Sequence, residues 1–129
     1  MIEYFEVDLE SAAAAVKKYF EERGALVVVI FGSVLRRRHV RDVDIAVKFG
    51  RGVELEEWLA MSAELEELLG VPVDLVPLDE APPWVRLEAL AGGLPVLVKD
   101  WALYAELLKR AMGDAMDMDL KLGGAEYAR

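Results

Sequence analysis

Apolar and polar positions change period several times along the chain, and each change marks an element. Residues 9–23 carry an alanine run, with Val16, Tyr19 and Phe20 at helical spacing and Gly24 as a stop, so they predict a helix. Residues 26–31 form a continuous run rich in β-branched side chains, the pattern of a strand buried on both faces. A second strand is expected over 43–49, with Gly50 and Gly52 turning the chain after it. Residues 54–69 read as an amphipathic helix with Leu55, Leu59, Leu65, Leu68 and Leu69 inward and glutamates outward. A third strand, 71–76, contains a proline that suits a strand start or an edge. A loop (77–83), a short helix (84–91) and a fourth strand (94–98) follow. Residues 100–122 predict a long closing helix with Asp100 as N-cap.

The order α-β-β-α-β-α-β-α points to one α/β domain over residues 1–129, a sheet covered by helices. Apolar content of 55% and charged content of 30% place the chain among globular proteins. No apolar run is long enough to span a bilayer, and the first residues are acidic where a secretory signal is basic, so a cytoplasmic protein is expected. Without cysteine there is neither disulfide nor thiolate metal site, and with one histidine any metal chemistry should use hard ions on oxygen ligands. A formal charge of −9 argues against general nucleic-acid binding. Asn, Gln, Thr and Cys are all absent, a pattern of heat-adapted proteins.

Against that negative surplus, residues 34–41 stand out as a short basic connection or helical turn. Arg36, Arg37, Arg38, His39 and Arg41 crowd into six positions, able to hold a small anion or simply to be solvated. Asp42 and Asp44 follow on the strand, two residues apart and hence on one face. Two like charges that close disfavour each other's ionised form, and a divalent cation between them removes the cost. Asp74 interrupts the next apolar strand in the same way. Three converging carboxylates can hold two divalent ions, the arrangement that clamps both oxygens of an in-line phosphoryl or nucleotidyl displacement. Upstream, Gly32 lets the backbone turn sharply off the strand, and Ser33 with the following N–H groups can cradle phosphate oxygens. Arg36 lies one turn further and can point back at the same phosphates. Taken singly these residues have plainer roles: a strand cap for Asp42, an edge position for Asp74, a turn for Gly32-Ser33. Their conjunction favours a metal and phosphate site.

With those residues assembled, the sequence resembles the minimal nucleotidyltransferases of the DNA polymerase β superfamily. The match is Gly32-Ser33, then Arg36, then Asp42-Val43-Asp44, then Asp74 on a later strand. It departs from the family pattern in a short spacer of eight residues between Ser33 and Asp42, in Arg41 where serine is common and in Arg37 where glycine is common. The resemblance implies a polymerase β-like core: a mixed sheet of about four strands flanked by helices, with a long C-terminal helix. It implies magnesium, two ions, on Asp42, Asp44 and Asp74, with ATP as nucleotide donor held through Gly32, Ser33 and Arg36. It also implies a partner, an all-helical HEPN toxin, to whose tyrosine AMP would be transferred in a toxin–antitoxin pair.

Two other functions remain open. One is an antitoxin acting by contact alone. A stripe of Trp101, Tyr104, Leu108, Ala111, Ala115, Met118 and Leu122, widened by Met112, Met116 and Leu120, would face either the chain's own sheet or a partner. The other is transfer to a small-molecule hydroxyl, disfavoured because little chain lies outside the minimal core. Self-association stays open. His39 reads as a bystander in the basic loop, and Trp84 and Trp101 as packing residues.

Overall fold

The structure, a computed structural model, describes residues 2–127, with side chains through residue 120. Its elements in chain order are β1 (Phe5–Glu6), α1 (Leu9–Glu21), β2 (Ala25–Phe31), a 3-10 turn (Ser33–Leu35), β3 (His39–Val40), β4 (Val43–Phe49), α2 (Leu55–Leu69), β5 (Val73–Pro77), α3 (Pro83–Gly92), β6 (Leu94–Val98) and α4 (Trp101–Tyr127).

Four strands form one mixed sheet in the order β5-β4-β2-β6. β2 runs antiparallel to β4 and β6, while β4 and β5 are parallel. The central strand is apolar throughout because both its faces are covered. Val28 and Ile30 join Val16, Phe20, Ile45, Val47 and Leu65 in a core beneath α1 and α2. Val27 and Val29 join Ala46, Ala89, Leu90, Tyr104 and Ala111 in a second core beneath α3 and α4. Strand alternation assigns Val43, Ile45 and Val47 to the first face and Asp44 and Ala46 to the second.

The α3 side is fixed by close approach. A Cβ at Gly93 would lie 2.3 Å from the Ala89 carbonyl oxygen and 2.4 Å from Val29 Cγ1, so only glycine lets the helix end this tightly over β2. Tyr104 on α4 donates its hydroxyl to the Leu90 carbonyl at 2.5 Å, tying the two helices together. Asp100 caps α4 as expected, accepting from the Ala102 N–H at 2.9 Å.

Several expectations need correction. β5 begins at Val73, because Pro72 has no N–H to pair and its carbonyl accepts instead from the Val43 N–H at 2.9 Å. On α2 the inward stripe is Trp58, Met61, Leu65 and Leu69, whereas Leu55, Leu59 and Leu68 are 71%, 62% and 52% exposed. The helix is rotated by its tryptophan: the Trp58 ring sits edge-on to Phe49 at 5.7 Å, which swings Leu55 and Leu59 off one flank of the stripe and Leu68 off the other. On α4, Tyr104 and Ala111 are buried and Leu108, Ala115 and Met118 partly so, but Trp101 lies exposed against Tyr104. Leu122 falls outside the described side chains. β1 and β3 were not expected at all; they pair antiparallel, Phe5 with Val40 and Glu6 with His39.

The rotation of α2 has a direct test. Leu65→Ala should cost about 2–5 kcal/mol of unfolding free energy in a urea titration, and Leu59→Ala no more than about 0.5 kcal/mol.

Candidate active site

The site forms where β2 ends and β4 and β5 begin. In the parallel β4–β5 pair, Asp44 and Asp74 are direct partners. Adjacent strands lie ~4.8 Å apart, so two side chains on the same face at one register position must meet. They do, and their carboxyls are in hydrogen-bonding contact. Asp42 lies one pleat away on the same face, just before β4 begins. Asp44 is half-buried and Asp74 exposed. Burial, followed by the charges of Asp42, Asp74 and Glu88 and the hydrogen bond with Asp74, pushes the Asp44 carboxyl up to about 7. Asp44 therefore holds its proton well above the ordinary carboxyl range.

Glu88 was not foreseen. It projects from α3, and no local pattern in the helix distinguishes it from an ordinary surface glutamate; only the packing of α3 over β2 brings its charge to Asp44.

Gly32 closes the other side. Phe31, the last residue of β2, pairs with Asp44, and the chain then bends at Gly32 with φ 86° and ψ −157°. A Cβ there would stand 2.1 Å from Asp44 Oδ2. Glycine is thus required twice, for the left-handed φ and for the carboxylate that lies against its Cα. Ser33 opens the 3-10 turn, and its carbonyl accepts from the N–H groups of Arg36 and Arg37, both at 2.9 Å. The first N–H groups of such a turn have no partner inside it and are open to an anion.

Next to Ser33 and Asp42 is a cleft of about 340 Å³, walled by Tyr4, Arg37, His39, Val40 and Arg41 as well. Gly32 thus lies against Asp44, Asp44 is level with Asp74, and Ser33 and Asp42 share the neighbouring cleft. Arg36 caps the end of the turn, is exposed and does not line the cleft. Tyr4 could not have been read from the sequence, because it reaches the cleft only through the two-residue pairing of β1 with β3.

Among the described residues, no three Asp, Glu or His side chains are grouped closely enough to surround a single ion. The donor chemistry nonetheless fits magnesium, which takes one or two carboxylates and fills its shell from substrate phosphates and water.

Residues 14–101 match the family described as Polymerase beta, Nucleotidyltransferase. A Methanocaldococcus jannaschii protein named as a candidate protein adenylyltransferase is 36% identical over 70 residues, 53% of this chain and 75% of its own. A solved structure of a candidate minimal nucleotidyltransferase is 34% identical, with a TM-score of 0.57 over 67% of this chain and 91% of that one. A chain in the complex of tri-AMPylated Shewanella oneidensis HEPN toxin with MNT antitoxin superposes at a TM-score of 0.78 with 15% identity, over 92% of this chain and 96% of that one. The protein belongs to the polymerase β nucleotidyltransferase family, and its fold is that of the minimal members.

Two outcomes follow. Folded Asp44 holds its proton up to about 7, against 3.8 for an ordinary carboxyl, so between those values the folded state binds more protons and stability falls as pH rises. In EDTA, Asp44→Asn should remove that component, gaining on the order of 1–2 kcal/mol over wild type at pH 8 relative to pH 4 after solvent screening. Urea titrations of both proteins at the two pH values measure it. Gly32→Ala should destabilise by about 1–3 kcal/mol and weaken magnesium-dependent thermal stabilisation, read by calorimetry with and without the ion.

Proposed function

We propose that this protein transfers a nucleoside monophosphate, AMP from ATP, to a hydroxyl, and that the acceptor is a tyrosine of a HEPN-type helical toxin for which it is the antitoxin. The observation that carries the reading is the contact of Asp44 with Asp74, with Asp42 beside them and the Gly32 bend against Asp44. The named relatives support the class of acceptor: one is a candidate protein adenylyltransferase, another lies beside an AMPylated toxin.

Asp42, Asp44 and Asp74 would hold the magnesium ions, which when bound supply charge stabilisation at the transferred phosphoryl group. Gly32 and Ser33 present backbone N–H groups and a hydroxyl to the phosphates, with Arg36 near the end of the same turn. Asp74, the exposed member of its pair, faces the incoming hydroxyl and takes its proton. The acceptor oxygen bonds to the α-phosphorus, the bond from that phosphorus to the β-phosphate bridge oxygen breaks, and pyrophosphate leaves. The chain contributes positioning and fixed charge.

A second reading, inhibition of the toxin by contact alone, draws on α4. Met112, Met116 and Leu120 are 50%, 65% and 69% exposed along its outer side, an adaptable apolar surface for a partner.

Incubating the chain with labelled ATP, magnesium and a HEPN toxin decides between them. Asp44→Asn should lower AMP transfer by at least about 10²-fold with the fold intact. Transfer retained by that variant sinks the catalytic assignment. A complex that neutralises the toxin equally well with Asp42, Asp44 and Asp74 all changed to Asn supports contact.

A further inference from the structure

We infer that the cleft beside Ser33 is a subsite for condensed phosphate, taking the outer end of a nucleotide's triphosphate tail and the pyrophosphate released from it through Arg37, Arg41 and His39, with Tyr4 as its outer wall. The inference rests on the nucleotide reading above and assigns the tail to residues other than Arg36.

Charge is the first argument. The chain has 24 acidic residues against 15 lysines and arginines, so partners for arginine are not scarce. Among the described residues, the ion pairs engage Arg23, Lys48, Arg51, Arg86 and Arg110 and none of Arg36, Arg37, Arg38 or Arg41, although the Arg38 charge reaches Asp8 and Asp42 lines the same cleft. Four guanidiniums within six residues repel one another, and an anion among them offsets that repulsion.

Rigidity is the second. Val40 is 2% exposed and packs into the core under α1 and α2. β3 is paired to β1, and the Val7 N–H donates to the Arg38 carbonyl at 2.8 Å. The turn at Ser33–Leu35 fixes the other end of the loop. The cationic side chains therefore leave a backbone that is held in place, and a preorganised charge binds an anion at a lower ordering cost.

Continuity is the third. The cleft includes Ser33 and Asp42, so it opens directly from the phosphate bend, and Arg37, His39 and Arg41 extend it outward. Its volume of about 340 Å³ lies at the small end of ligand pockets and suits a di- or triphosphate. Tyr4 adds a neutral hydroxyl that can donate to a phosphate oxygen without adding negative charge.

Titration calorimetry on the full chain tests this with tripolyphosphate and pyrophosphate in EDTA, and with ATP and AMP in magnesium. Arg37 and Arg41 are exposed, so their variants should fold. The double variant Arg37→Ala/Arg41→Ala should weaken tripolyphosphate and ATP at least about tenfold while leaving AMP within about twofold. Tyr4→Phe should weaken tripolyphosphate a few-fold. Arg36→Ala should do less than the double variant. The inference is overturned if wild type does not bind tripolyphosphate, if the double variant binds it as tightly as wild type, or if Arg36→Ala alone reproduces the loss. Arginine-dependent tripolyphosphate binding in a chain that transfers AMP to no acceptor would leave the subsite standing and remove the proposed reaction. Asp44-dependent transfer with an unchanged KM for ATP in the double variant would do the opposite.

Discussion

The register of one parallel strand pair governs the site. Setting β4 against β5 so that Asp44 faces Asp74 forces two carboxyls into contact at the sheet's edge. A slip of one residue would send Asp74 to the opposite face and bring an apolar side chain to Asp44. The Val43 N–H bonded to the Pro72 carbonyl anchors that register at the strand entrance. Because proline cannot donate, the ladder above it starts at Val73 and the acids fall level.

Holding acids together in this way opposes folding, and the surrounding structure carries the cost. Apolar cores on both faces of β2 fix the sheet. Gly32 gives up a side chain so that the Asp44 carboxylate can lie against the backbone. Gly93 does the same for α3, whose Glu88 adds a further negative charge. Burial and like charge both favour the neutral form of Asp44.

Opposite charges meet beside the Gly32-Ser33 bend, where Asp42 lines the same cleft as Arg37 and Arg41. Asp44 and Asp74 lie level at the starts of β4 and β5, and guanidiniums line the cleft toward β3. Surface chemistry elsewhere differs: the exposed methionines of α4 and the exposed leucines of α2 are apolar and lie away from the cleft lining. Among the described residues no helix is long and apolar enough to cross a membrane.

Local pattern was enough to read most of the fold. The strands over 43–49 and 94–98 have the expected bounds, and the uninterrupted apolar run of β2 correctly implied a sheet covered on both sides. Gly32-Ser33 and the Asp42/Asp44 pair were legible because their spacing is set within one turn or one strand. Their companions were not. Glu88 reaches Asp44 through the packing of α3, Tyr4 reaches the cleft through the pairing of Phe5 with Val40, and Leu59 faces outward because Trp58 packs on Phe49. Hydrophobic period records which residues can leave water; which distant residue each one then meets depends on strand register and helix rotation, and those are fixed only when the whole core packs.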